Sequence, residues 1–168
     1  DPVDNPRAEL KGFVEDLPVE DGSFDVVLCN QVLEHSDDPA KAVSELRRVT
    51  AHGGRVLLST HGVMAYHPSP TDYWRWTHAG LEKLFEDNDS WASVRVTPAS
   101  GTTACLGMLL AMYLDLAFRR ARVGAVAKPI VAGINTVAGA VDGRSARLRE
   151  PGAGALFANY HVVAEAPR

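Results

Sequence analysis

Two short apolar runs in this chain each end in side chains that can hold or move protons. Residues 24–29 are followed within six residues by Asn30, Gln31, Glu34 and His35. Residues 55–60 end in Ser59, Thr60 and then His61. A loop further on carries His67, Asp72, Tyr73, Trp74, Arg75 and Trp76. Amides donate and accept hydrogen bonds, and an unperturbed imidazole titrates near pH ~6.5. Such a set suits general base catalysis or recognition of a polar small molecule. The structural alternative is a polar loop in which Glu34 and His35 cap or brace the next helix. Asp72 and Arg75 are alternatively a pair that holds the loop, with Trp74 and Trp76 pinning it to the core.

The elements around these residues read as a parallel α/β unit. The run at 24–29 has β-branched Val26 and Val27 and predicts a strand buried on both faces. Asp38 is a good N-cap, and Pro39 suits the first helical position. Ala42, Val43, Leu46 and Val49 then recur at helical spacing, with Lys41, Glu45 and Arg48 outward. Gly53-Gly54 reads as the helix stop before a second strand at 55–60. Strand, helix and strand make a βαβ unit with a right-handed crossover. In open parallel sheets ligands bind beyond the carboxyl ends of the strands, where the polar residues above fall.

The remaining elements are simpler. Residues 1–12 are broken by two prolines and read as loop, and Phe13-Val14 reads as a very short strand. Thr77 caps a helix with Leu81, Leu84 and Phe85 on one face. Residues 91–97 alternate as a strand, and 157–164 form a closing strand.

Composition sets limits. The chain has 168 residues, 46% hydrophobic and 23% charged, enough for one domain with a core. A net charge of −4 gives no case for nucleic acid as partner. Cys29 and Cys105 make neither a disulfide framework nor a metal spacing, so no metal ligand set is read here. Cys29 reads as a small buried residue. The chain starts at Asp1 without an initiator Met, so it reads as a C-terminal piece of a longer protein.

Residues 101–150 differ from the rest. Residues 101–114 carry no charge, and Asp115 then interrupts. Leu106, Leu109, Leu110, Tyr113 and Ala117 follow helical spacing. Arg119, Arg120 and Arg122 separate this stretch from a second apolar one at 123–141. Fourteen helical residues at about 1.5 Å each fall short of a bilayer core of roughly 30 Å, and Lys128-Pro129 and Gly133 spoil the second stretch as a span. Two short helices therefore suggest a hairpin that covers the domain, forms a homodimer interface, or lies on an anionic membrane surface. Charge asymmetry agrees with the last: 119–150 hold 7 basic and 2 acidic side chains, whereas 1–50 hold 12 acidic and 5 basic.

Taken together, the chain resembles the class I S-adenosylmethionine-dependent methyltransferases. The likeness rests on Gly12-Phe13-Val14-Glu15-Asp16-Leu17-Pro18, Asp21-Gly22-Ser23-Phe24-Asp25-Val26-Val27, Val32-Leu33-Glu34-His35 and Gly53-Gly54-Arg55-Val56-Leu57-Leu58. The run from His67-Pro68 to Gly80-Leu81 is similar to a loop of a bacterial subgroup. The resemblance implies an α/β, Rossmann-like sheet, present in part from strand three or four to strand seven. Its last strand would be antiparallel, with 101–150 as a helical insertion before it in a single partial domain. It further implies that the first strand and its Gly-rich turn precede residue 1, so that this piece alone binds cofactor poorly.

The same resemblance implies S-adenosylmethionine as cofactor. Asp1 falls where the family binds the ribose. Phe13, Val14, Glu15, Asp16 and Leu17 would line the adenine, and Asn30, Gln31 and Val32 would cover the other side. Phe13 stands where an Asp usually accepts from the adenine amino group, which Phe cannot do unless Glu15 or Asp16 substitutes. His35 would be the catalytic base, and Glu34, His61, His67, Tyr73, Trp74 and Arg75 would meet the substrate. The expected acceptor is a small molecule or a lipid-linked envelope-glycan precursor. The expected location is cytoplasmic, with a peripheral contact to the inner face of the membrane. The alternative is a methyltransferase-fold scaffold or binding module without chemistry.

Overall fold

The computed structural model describes residues 7–168; the Asp1 assignment lies outside them. The elements run β1 (Phe24–Asn30), a 3₁₀ turn (Leu33–His35), α1 (Pro39–Val49), β2 (Thr50–His61), α2 (His78–Asp87) and β3 (Ser93–Pro98). Next come α3 (Thr102–Arg120), α4 (Gly124–Arg144), a second 3₁₀ turn (Ala146–Arg149) and β4 (Asn159–Glu165). The chain divides into two compact units. One holds the described part of Asp1–His61 with Tyr66–Thr97 and Tyr160–Arg168; the other holds Gly62–Ala65 and Pro98–Asn159.

The four strands form one sheet in the order β1-β2-β4-β3. β1 and β2 are parallel, with Leu28 opposite Leu57 and Asn30 opposite Ser59. β4 runs antiparallel to both neighbours. Gly53 N–H donates to Pro167 and Ala166 N–H to Gly54, so one number rises as the other falls. Ala92 against Glu165 and Thr97 against His161 show the same reversal beside β3.

α1 forms for the reasons its sequence gives. The Asp38 carboxylate accepts from Ala40 N and Lys41 N at 3.1 Å, and Pro39 opens the helix. Ala42, Val43, Leu46 and Val49 are buried, each large one worth roughly 1.5–3 kcal/mol of transfer free energy. With Val56, Leu58, Leu81, Phe85, Val162 and Ala164 they make the core of the first unit. Glu45 and Arg48 do not simply face water. Glu45 accepts from Leu17 N at 3.0 Å, and Arg48 donates to the carbonyls of Leu17 and Val19. This pair fastens the Phe13–Leu17 segment to the helix.

Several sequence expectations change. β1 is not buried on both faces: Cys29 is buried, whereas Val26 and Leu28 are exposed, Leu28 at 74%. Among the described residues β1 lies at the sheet edge, paired only with β2. Gly53-Gly54 does not stop α1. The helix ends at Val49, and the glycines lie inside β2, where the register with β1 breaks. Gly53 has φ +73°, and a Cβ on Gly54 would stand 2.8 Å from the Asp25 carbonyl, so both positions exclude side chains. Phe13-Val14 is a tight turn, with Asp16 N–H donating to Phe13 O at 3.1 Å.

In the second unit α3 and α4 have 19 and 21 residues, so neither is the short helix expected. α3 passes smoothly through Asp115, whose carboxylate takes the Arg119 guanidinium one turn on at 2.6 Å. At about 1.5 Å per residue it is about 28 Å long, close to a bilayer core. By length and composition it is the one helix among the described residues apolar enough to cross a membrane. Its stripe of Leu106, Leu110 and Tyr113 is exposed, whereas Cys105, Gly107 and Ala111 are buried. Small residues pack because the helices approach closely: a Cβ on Gly107 would lie 2.5 Å from the Ala138 Cβ.

Candidate active site

The site lies in the first unit, at the carboxyl ends of β1 and β2. β1 ends at Asn30, whose Oδ1 accepts from the Ser59 hydroxyl of β2. Gln31 follows with φ +52°, a left-handed conformation that costs a side-chain-bearing residue about 1 kcal/mol or more. Its N–H donates to Ser59 O at 3.0 Å and its Nε2 to Ser59 Oγ at 3.0 Å. Gln31 Oε1 is buried without a hydrogen-bond partner. That orphan acceptor, next to a strained turn, marks a ligand edge.

The 3₁₀ turn then places Glu34 and His35. Glu34 is fully buried. Its Oε2 accepts from Thr60 Oγ1 at 2.9 Å, and its carbonyl accepts from Tyr73 N at 2.9 Å and Trp74 N at 3.2 Å. Its Oε1 lies 3.3 Å from His61 Nε2, yet no donor is aligned on it. His61 Nε2 is also 3.2 Å from His67 Nε2. The His35 ring meets the His67 ring edge-on at 4.9 Å, and His35 Nδ1 donates to Thr71 O at 2.9 Å. That bond fixes the tautomer and leaves Nε2 as the free lone pair. Glu34, His35, His61 and His67 therefore come together from three segments.

The aromatic loop is built mainly as structure. Arg75 grips Asp72 at 2.5 and 2.6 Å, and His67 N–H donates to the same carboxylate at 3.1 Å. The Arg75 hydrogen bonds hold the Asp72 carboxyl well below its ordinary range, against the opposing effect of burial. Trp74 Nε1 donates to Ser36 O at 2.7 Å and its ring stacks on Trp76 at 5.8 Å. Of the expected substrate residues, Arg75 and Trp74 thus have structural partners, while Tyr73 is exposed.

The cofactor residues divide in the same way. Phe13 is 64% exposed, and Val32 is exposed as well. Val14 and Leu17 are half-buried, and Asp16 is exposed. Glu15 cannot replace the missing adenine acceptor through Oε1. That oxygen already accepts from Ser36 Oγ at 2.5 Å, Asp37 N at 2.9 Å and Asp38 N at 3.4 Å. Burial raises the Glu15 pKa, but these bonds together outweigh it and leave it lowered. Asp16 is the acid left open to water. Burial, helped by the nearby Glu34, pushes the Cys29 thiol up to about 12, which makes it inert packing.

A Rossmann-like sheet with polar groups at the carboxyl ends of two strands is the class of α/β architecture this chain has, and such ends are where ligands bind in open parallel sheets. The comparisons narrow this. The family model described as a methyltransferase domain matches residues 4–58. A probable S-adenosylmethionine-dependent methyltransferase of Mycolicibacterium smegmatis is 42% identical over 64 residues, covering 38% of this chain and 25% of that protein. Through this segment the chain is similar to the S-adenosylmethionine-dependent methyltransferases. The matched segment spans 16% to 25% of the length of the first curated relatives.

Solved structures share the fold. Phosphoethanolamine N-methyltransferase 2 of Haemonchus contortus, in complex with S-adenosyl-L-methionine, has a TM-score of 0.53 at 14% identity, over 92% of this chain and 36% of that one. The [4+2]-cyclase SpnF also reaches 0.53, at 18% identity, over 94% of this chain and 55% of that one. One of these two is named a methyltransferase and the other a cyclase, so the shared fold does not define the reaction.

Proposed function

We propose that this chain serves S-adenosylmethionine-dependent methyl transfer to a small-molecule or lipid-linked glycan acceptor. The observation that carries this is the convergence of Glu34, His35, His61 and His67 beside Asn30 and Gln31, at the carboxyl ends of two parallel strands. The orphan Gln31 Oε1, the exposed Phe13 ring and exposed Val32 fit a ligand with polar and apolar parts. The cofactor, when bound, supplies an electrophilic methyl group. Asn30, Gln31 and Val32 would hold one side of it, and the turn from Phe13 to Leu17 would hold the adenine side. His35, with Nδ1–H fixed on Thr71, presents Nε2 to the acceptor proton. Glu34 lies buried beside this cluster, its Oε1 3.3 Å from His61 Nε2.

A labelled-methyl assay on the protein at its full natural length, and on its His35→Ala variant, tests this. Turnover should fall by about 10²–10⁴-fold with cofactor affinity unchanged. Normal turnover in a folded variant overturns the role of His35, and no turnover in any form overturns the reading.

A second reading follows from α3 and α4. We infer that this hairpin docks on an anionic membrane surface at the cytoplasmic face. Support comes from its exposed Leu106, Leu110, Tyr113, Leu116 and Val137, and from Arg119, Arg120 and Arg122 at the turn. Liposome flotation should capture the protein only with anionic lipid. A protein that stays soluble and elutes as a dimer would make the same face a homodimer interface.

A further inference from the structure

The proton count in the imidazole cluster does not close. His61 Nε2 lies 3.3 Å from Glu34 Oε1 and 3.2 Å from His67 Nε2. One N–H on that nitrogen can serve one of these acceptors and not both. If His67 instead donates to His61, the lone pair of His61 faces the carboxylate. In the first arrangement the nitrogen of half-buried His67 lacks a donor; in the second a buried oxygen does, which costs about 1–3 kcal/mol. Glu34 Oε1 is that acceptor, fully enclosed and without an aligned hydrogen bond.

A cation resolves the deficit. Glu34, His35 and His67 each offer a ligand atom within 4.8 Å of the others. We propose that these three side chains bind one late first-row divalent ion, for which Zn²⁺ is the representative. The chemistry of the set selects it: two imidazoles and one carboxylate favour a zinc-like ion over Mg²⁺, which takes mainly oxygen ligands. The second sphere is already built. Thr71 O holds His35 Nδ1–H, Thr60 Oγ1 holds Glu34 Oε2, and Asp72 holds the His67 backbone N–H. Bonds of about 2.1 Å in a tetrahedron put donors about 3.4 Å apart, so the widest separation must contract by up to about 1.4 Å. His35 and His67 can supply that motion, because both are only half-buried.

Three protein ligands leave the ion a coordination position for an acceptor oxygen. This part rests on the methyl-transfer reading. With its Nε2 on the ion, His35 would hold the metal in place of taking the proton itself: the ion would lower the pKa of a bound hydroxyl, whose proton would leave to solvent. Binding of the ion itself needs neither cofactor nor acceptor.

The test is titration of chelator-treated protein with Co²⁺, followed by visible absorption, with Zn²⁺ as competitor. We expect one equivalent of Co²⁺ with tetrahedral d–d bands that Zn²⁺ abolishes. His67→Ala and His35→Ala should each weaken binding by more than about tenfold, and the surface variant His52→Ala should not change it. Glu34→Gln should do the same if circular dichroism shows it folded; His67 and His35, being half-buried, keep the test valid if it does not. Changes below about twofold in both His variants, or an equal loss in His52→Ala, overturn the proposal. Because no methyl donor is present, that failure is distinct from failure of the methyl-transfer reading.

Discussion

Two buried carboxylates, one in each unit, show what separates a structural acid from a functional one. Asp142 of α4 is saturated: its oxygens accept from Gly101 N at 2.6 Å, Thr103 N at 3.2 Å and Ala104 N at 3.3 Å. It caps the N-terminus of α3 from the neighbouring helix, meeting donors that have no partner within α3. Glu34 is as deeply buried, but one of its oxygens has no aligned donor and faces the His61 imidazole at 3.3 Å instead. A folding determinant satisfies its hydrogen bonds; a site leaves one unsatisfied for a ligand or proton to complete.

Breaking each acid should separate the two roles. The largest loss of stability is expected for Asp142→Ala. Three N–H groups lose a charged acceptor, and denaturant unfolding should show a cost of about 3 kcal/mol. A loss below about 1 kcal/mol would mean that water replaces the cap. Next is Gly107→Ala, whose Cβ would meet the Ala138 Cβ at 2.5 Å. Helix separation should cost about 1–3 kcal/mol by the same measurement, and Ala138→Gly in the same chain should recover most of it.

Glu34→Gln should cost least among the buried substitutions, under about 1 kcal/mol, because Thr60 can still donate to the amide oxygen. Activity and metal binding should nevertheless fall by more than about tenfold. A thermal scan beside a Co²⁺ titration checks both, and a stability loss as large as that of Asp142→Ala would erase the contrast.

The smallest effect is expected from the Asp72–Arg75 clasp, which is partly open to water. The folded pKa of Asp72 is depressed, chiefly by its hydrogen bonds to Arg75. Its stabilisation is therefore complete above the unfolded value near ~3.9 and is lost as pH falls through the folded one. The melting temperature of the parent should drop more steeply below pH ~4 than that of Asp72→Asn. Glu15 and Glu45, whose pKa values are also lowered, should leave the variant a residual slope of the same sign.

The sequence determined what depends on neighbours in the chain. Asp38-Pro39 and the spacing of Ala42, Val43, Leu46 and Val49 made α1 legible, and Thr77 marked the start of α2, because capping and helical periodicity are local. The motif residues gave the likeness to methyltransferases, and the polar ends of β1 and β2 gave the candidate site. Three decisions belonged to tertiary structure. Whether β1 is buried depends on which strands flank it, and Val26 and Leu28 lie exposed although their run reads as core. Whether Glu15 is free depends on Ser36, Asp37 and Asp38, which fold back to take it. The cluster of Glu34, His35 and His67 spans a long loop, so no spacing rule for metal ligands could reveal it. Only the closure of that loop, through Trp74 on Ser36 and Thr71 on His35, brings those atoms within range of one another.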